Sequence, residues 1–396
     1  MNPEAAPCVL LAATDRFVFP ARLAMVLADA GFSVEVLCPG GHCLGSTMAV
    51  KRLHRYRALR GLTSLKSALL KAKPAIVIPC DDLARNHLHR LYKTEPAGEI
   101  RDVIERSLGN PFSFPEVESR SRLLALVRQE GEAAVETTVI SSPGDLKDWL
   151  AVNGFPAVLK TDGSSGGYGV RVVSSVEEAG AAYRKLSAPP SLAMALKRAL
   201  VNRNRTFLLP AWQGATPTVN AQKFIDGVEV TSTAVCWQGK LLSTLTLEVL
   251  RTMYPGGPAS VVRLLENQAI EVAIGKTAAR LGLSGICGFD FIVERGTGIP
   301  YLIELNPRAT QTTHLRIGGR DAANVLYTAI TGKSSRGPVN EIKGDTVALF
   351  PQEWIRDPAS GFLKSAFLDV PWSEPGLVES IRRQYVPGFV GGKPRA

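Results

Sequence analysis

The opening of the chain alternates short apolar runs with amphipathic ones. Cys8-Val-Leu-Leu-Ala-Ala13 reads as a buried strand, Phe19 to Ala30 as a helix stopped by Gly31, and Ser33 to Cys38 as a second strand. Leu62 to Ala72 then reads as a helix, and Ala75-Ile-Val-Ile-Pro79 as a strand ending at Asp81-Asp82. Strands separated by helices at this spacing cannot pair as tight hairpins, so the pattern predicts a parallel, doubly wound sheet. The first turn, Ala13-Thr-Asp-Arg-Phe-Val-Phe-Pro20, contains no glycine. That argues against NAD bound by the usual dinucleotide fingerprint, whose glycines let the backbone approach a pyrophosphate.

Later the pattern changes. From Gly285 to Arg308 two alternating apolar runs flank a glycine-containing turn at Arg295 to Ile299, which is the signature of a β-hairpin. Pairing symmetric about Thr297 would set Asp290 opposite Glu304, with Asn306 on the same face two residues on. Like charges opposed across a hairpin repel unless a cation lies between them. Two carboxylates and an amide oxygen suit Mg²⁺, which keeps nucleotide phosphates among its remaining ligands. Arg308 would face the same phosphates.

Three further stretches belong with the hairpin. Phe155-Pro-Ala-Val-Leu-Lys160 is an apolar strand ending in lysine, followed by Thr161-Asp-Gly-Ser164-Ser165-Gly166-Gly167-Tyr-Gly169 and a second strand, Val170 to Val173. The bare N–H groups of such a loop can approach phosphate oxygens, with the Lys160 ammonium beside them. No Gly-Lys-Ser/Thr opens a helix afterwards, so this is not a P-loop. Thr218 to Glu229, which includes Gln222, Lys223, Phe224 and Ile225, reads as strand, Asp-Gly turn and strand. The helical run Ser119 to Gln129 begins with Arg120 and Arg122.

With its hairpin ending Glu304-Leu-Asn306-Pro-Arg308, its lysine-and-glycine loop and its strand-turn-strand between them, the chain resembles the ATP-grasp superfamily over roughly residues 5 to 330. The resemblance implies a doubly wound N-terminal domain over 1–115 and an ATP-grasp domain over 116–335, followed by a C-terminal extension over 336–396. The ATP-grasp domain would divide into a small lid subdomain, about 120–225, and a metal-binding subdomain, about 226–335. It implies ATP and Mg²⁺ as cofactors, with Mn²⁺ as an alternative ion, and Asp290, Glu304 and Asn306 as metal ligands. Ser164, Ser165, Gly166, Gly167 and Gly169 would form the lid over the nucleotide. Lys223 C=O and Ile225 N–H would pair with the adenine, flanked by Phe224, and Glu229 would reach the ribose. Gln222 stands where many members carry Glu, and Arg120 stands in for a phosphate-binding lysine, an exchange that alters shape and hydration. Lys160 and Arg308 would be catalytic.

The activity so implied is a carboxylate-amine ligase, forming an amide or peptide bond through an acyl phosphate, with amino acids or a peptide as substrates and a homodimer as the assembly. Alternatives are a bicarbonate-activating carboxylase or carbamoylating enzyme, and an ATP-binding scaffold without chemistry. A cap over an anionic substrate would use Arg203 and Arg205 from the segment that interrupts the order between 188 and 217. His314 and Arg316 are candidates for binding a substrate carboxylate.

Composition bounds these readings. The chain has 396 residues, 45% hydrophobic and 21% charged, as ordinary globular domains do. It contains no apolar run long enough to span a bilayer and no secretory leader pattern, so a cytoplasmic protein is expected. Six dispersed cysteines read as free thiols, and Cys38-Pro-Gly-Gly-His42-Cys43 lacks a second pair to complete a zinc site. The net charge of +10 permits acidic ligands. The densest basic run, Lys51 to Arg60, holds one aromatic and reads as a solvated helix or loop face, so no nucleic-acid partner is expected.

Overall fold

The computed structural model describes residues 6–162, 169–189, 191, 216–335 and 341–385. The first sheet contains β1 (Cys8–Ala12), β2 (Ser33–Pro39), β3 (Val50–Tyr56) and β4 (Ile76–Pro79) in the order β3-β2-β1-β4, with every pairing parallel. The helices between and after them are α1 (Phe19–Ala30), α2 (Gly61–Ala72), α3 (Asp82–Thr94) and α4 (Glu99–Leu108). Pro20 pre-sets the first turn of α1, and Gly31, at φ 110°, ends it in the left-handed conformation. One face of the sheet packs on α2, α3 and α4 through Leu65, Leu88 and Ile104. The other face packs on α1 and on residues from far along the chain.

The basic run Lys51 to Arg60 departs from the solvated helix or loop face expected from its charge. Most of it is β3, an edge strand whose polar side chains face solvent or pair across to β2, as His54 does with Glu35 at 2.7 Å. Charge on an edge strand also discourages pairing with another chain.

Two short helices, α5 (Phe114–Glu118) and α6 (Arg120–Gln129), lead into a second, antiparallel sheet. It orders β5 (Thr137–Ile140), β8 (Val219–Lys223), β6 (Ala157–Thr161) and β7 (Val170–Val173) as β5-β8-β6-β7. Helices α7 (Pro143–Asn153) and α8 (Val176–Ser187) cover it around Trp149, Leu159 and Tyr183. A capping box between Ser142 and Asp145 starts α7.

The third sheet runs β13-β12-β9-β10-β11-β14-β15 among the described residues. Its strands are β9 (Gly227–Trp237), β10 (Lys240–Thr252), β11 (Ala259–Leu264), β12 (Gly285–Glu294), β13 (Pro300–Asn306), β14 (Thr346–Ala348) and β15 (Phe367–Leu368). Helix α9 (Gln268–Leu281) and α6 pack on it through Leu124, Ile274, Phe289 and Phe291. Thus the segment expected as a C-terminal extension contributes strands to the sheet that carries the hairpin. It also carries α11 (Gln352–Arg356), α12 (Phe362–Ser365) and α13 (Pro375–Tyr385), while α10 (Ala322–Thr331) precedes it. Leu377 and Ile381 of α13 join α10 against the first sheet. No helix among the described residues is long and apolar enough to cross a membrane.

Candidate active site

The hairpin of β12 and β13 places Asp290 opposite Glu304 and Gly288 opposite Asn306. The register is not uniform, because Phe291 pairs with Leu302 and Ile303 is left as a bulge. Leu302 and Leu305, three residues apart, both face the core, which an unbroken pleat forbids. Without the extra residue Glu304 would lie opposite Phe289, a fully buried core side chain. The bulge is therefore what brings the second carboxylate level with Asp290.

Burial first, and Glu304 second, push the Asp290 carboxyl up to about 6, while Thr231, Arg308 and Lys160 pull it down. Asn306 turns its Nδ2 toward Asp290 Oδ2 at 2.9 Å, and its Oδ1 accepts from Arg308 Nη2 at 2.9 Å. Lys160, buried near the end of β6, is brought down to about 8 by burial and then by Arg120, with Glu304, Asp290 and Glu229 opposing. One lysine thus sits in the field of three carboxylates supplied by β9, β12 and β13. Glu229 itself is pushed up by burial and pulled down by Lys160.

Arg120, the first residue of α6, donates to Glu304 Oε1 at 2.6 Å and to Thr161 O at 3.3 Å, and lies 3.8 Å from Asp162. Its Nε has no acceptor among the described residues. The sequence assigns it to phosphates; in the fold it meets one carboxylate of the hairpin pair.

Between β8 and β9 the chain passes through Phe224 to Asp226. Gln222 is buried, with Nε2 donating to Thr137 Oγ1 at 3.0 Å, whereas Lys223 and Phe224 are exposed and Ile225 rests against the core. Gly169 is buried immediately before β7, its carbonyl accepting from Thr161 N–H at 3.0 Å. Ser164, Ser165, Gly166, Gly167, Arg203 and Arg205 lie outside the described residues.

Residues 190–312 match the family model of the ATP-grasp domain. The chain carries an ATP-grasp domain. A curated relative, the N-terminal section of the carbamoyl phosphate synthase large chain from Methanopyrus kandleri, is 23% identical over 243 residues, which is 59% of this chain and 39% of that protein. This chain therefore matches well under half the length of that relative. Among solved structures, the biotin carboxylase domain of Hydrogenobacter thermophilus 2-oxoglutarate carboxylase, a dimer with MgADP, ADP and bicarbonate, aligns at TM-score 0.60 and 15% identity over 84% of this chain and 71% of that one. The L-amino acid ligase of Bacillus licheniformis aligns at TM-score 0.57 and 16% identity over 85% and 79%.

Four residues at the candidate site carry no motif in the sequence. Asp82, Arg85, Glu118 and Asp162 line a cavity together with Arg120 and Glu304. A signal existed for two of them, since Asp82 and Arg85 follow the carboxyl end of a parallel strand, where α/β sheets place ligands. His314 and Arg316, expected to bind substrate, are buried and have structural partners instead. His314 Nε2 pairs with Asp369 at 2.8 Å, and Arg316 lies 3.0 Å from Asp29 and 2.9 Å from Asp321. These contacts hold the loop after β13 against α1 and the later segments.

Proposed function

We propose that the protein is an ATP-dependent ligase that activates a small carboxylate and joins it to an amine, with amino acids or a peptide as substrates and a homodimer as the assembly. The observation that carries this reading is the bulge-aligned Asp290–Glu304 pair with Lys160 in its field. A buried acid raised by a neighbouring acid is relieved by a bound cation, so the donor set fits a divalent ion. Among the described residues no group of three or more His, Cys, Asp or Glu side chains gathers at one point. Asp290, Glu304 and the amide oxygen of Asn306 would accordingly hold Mg²⁺ together with nucleotide phosphates, after Asn306 releases Arg308. The ion would supply charge neutralisation between the phosphates.

On this reading Arg120, Lys160 and the loop through Ser164, Ser165, Gly166, Gly167 and Gly169 hold the phosphates. Gln222, Lys223, Phe224 and Ile225 face the base and Glu229 the ribose. A substrate carboxylate oxygen attacks the γ-phosphorus and the bond to the ADP oxygen breaks, with Lys160 and Arg308 stabilising the equatorial oxygens. The amine nitrogen then attacks the acyl carbon, loses a proton, and displaces phosphate.

The test is ADP release from Mg-ATP across a panel of amino acids and small carboxylates, with hydroxylamine present to trap acyl phosphate. Lys160→Ala and Glu304→Gln should each lower turnover by about 100-fold or more. Near-normal rates in both variants would end the mechanism. A second reading, activation of bicarbonate, is favoured by the carbamoyl phosphate synthase relative and by the bicarbonate-bound neighbour. ADP formed with bicarbonate alone, and no hydroxamate with any acid, would select it. Mg-ATP binding without ADP formation under any condition would leave a nucleotide-binding scaffold.

A further inference from the structure

The corner between β4 and α3 belongs to the first sheet, yet it grips a residue that follows the hairpin. Asp81 closes this corner, accepting from Thr14 N–H at 2.5 Å, Thr14 Oγ1 at 2.6 Å and Ala84 N–H at 2.8 Å. Those bonds fix where α3 begins, and so where Asp82, its first residue, stands. The backbone after β13 is tied to the same corner, with Ala309 N–H donating to Pro79 O at 3.0 Å. Asp82 Oδ2 then lies 3.0 Å from Arg308 Nη2, the atom that also donates to Asn306 Oδ1 at 2.9 Å. Arg85, one turn along α3, lies 3.6 Å from the other Asp82 oxygen.

Arg308 is largely buried, and its Nε has no acceptor among the described residues. A guanidinium on four rotatable bonds is held in one orientation only if something fixed opposes it, and a carboxylate does so with direction as well as charge. Asp82 is rigidly mounted by Asp81 and the helix start. Asn306 cannot serve as that anchor, because the proposed metal would claim its oxygen.

We propose that Asp82 is a positioning residue that holds Arg308 in the orientation in which it meets the phosphoryl group in flight; this rests on the phosphoryl-transfer reading above. The first sheet thereby enters the chemistry through one carboxylate. A merely structural Asp82 would affect stability without distinguishing ground-state from transition-state ligands.

The experiment is calorimetric titration of the full chain with Mg-ADP, and with Mg-ADP plus aluminium fluoride as a mimic of the transferring group, the carboxylate panel being present throughout. Asp82→Asn should leave the Mg-ADP affinity unchanged and weaken the fluoride complex by about 10- to 100-fold. The double variant Asp82→Asn/Arg308→Lys should bind the fluoride complex no more weakly than Arg308→Lys alone, because both act on one interaction. Wild-type fluoride affinity in Asp82→Asn, or two additive losses, overturns the proposal while leaving the ligase reading standing. No fluoride-dependent gain in the wild type overturns the phosphoryl-transfer reading and this inference with it. Should Asp82→Asn not melt cooperatively, Asp82→Ser, which keeps a side chain suited to a helix start, carries the same comparison.

Discussion

His42 shows how burial converts one side chain into a pH dependence of folding. Its Nδ1 accepts from Leu44 N–H at 3.0 Å, and burial, followed by Arg16, lowers it from 6.5 to about 4, with an Asp15 backbone hydrogen bond opposing. Between these two values the unfolded chain takes up a proton that the folded chain refuses. Stability is therefore lost as pH falls through that window and is untouched above it. The full effect is about 3 kcal/mol. His42→Asn, which still offers an acceptor to Leu44, should flatten the fall of the urea midpoint between pH 6.5 and 4 relative to wild type. Equal slopes in the two proteins would contradict this. The neighbouring thiols of Cys38 and Cys43 are pushed up to about 12, first of all by burial, which keeps them protonated at neutral pH.

At the scale of elements, the hairpin was legible because strand alternation and a glycine turn are local properties. The Asp290–Glu304 pairing is where symmetry about Thr297 puts it, yet it is reached through a bulge at Ile303 that no local pattern announces. Its cause is the core, which takes Leu302 and Leu305 together. The seat of β12 is equally non-local. Gly285 has φ 80°, and a Cβ there would stand 2.4 Å from the Ser107 carbonyl at the end of α4. Gly285→Ala should cost about 2–4 kcal/mol from strain and this clash. A urea midpoint equal to wild type would show that α4 can give way.

Across the whole molecule, one core joins the beginning of the chain to its end. Leu11 and Leu27 pack in the same cluster as Ile286, Leu326, Phe350, Leu377 and Ile381. Ile381 is fully buried, so Ile381→Ala should cost about 2–5 kcal/mol. The loss should move a single transition, because the segment shares its core with the first sheet. A separate early transition for the C-terminal segment, seen by fluorescence of Trp354 and Trp372, would mean that it folds apart.

By itself the sequence determined the classes of element, their order, and the motifs that follow from periodicity: the parallel opening sheet, the lysine strand, and the acidic hairpin with Asn306 and Arg308. These depend on neighbours within a few residues, where side-chain alternation and turn chemistry act. Only the tertiary structure decided that His314 and Arg316 are spent on Asp369, Asp29 and Asp321, and that Glu304 meets Arg120 from 184 positions away. It alone brought Asp82 to Arg308. Such pairings depend on which buried charges must find partners once the sheets close on one another, and a linear pattern does not carry that information.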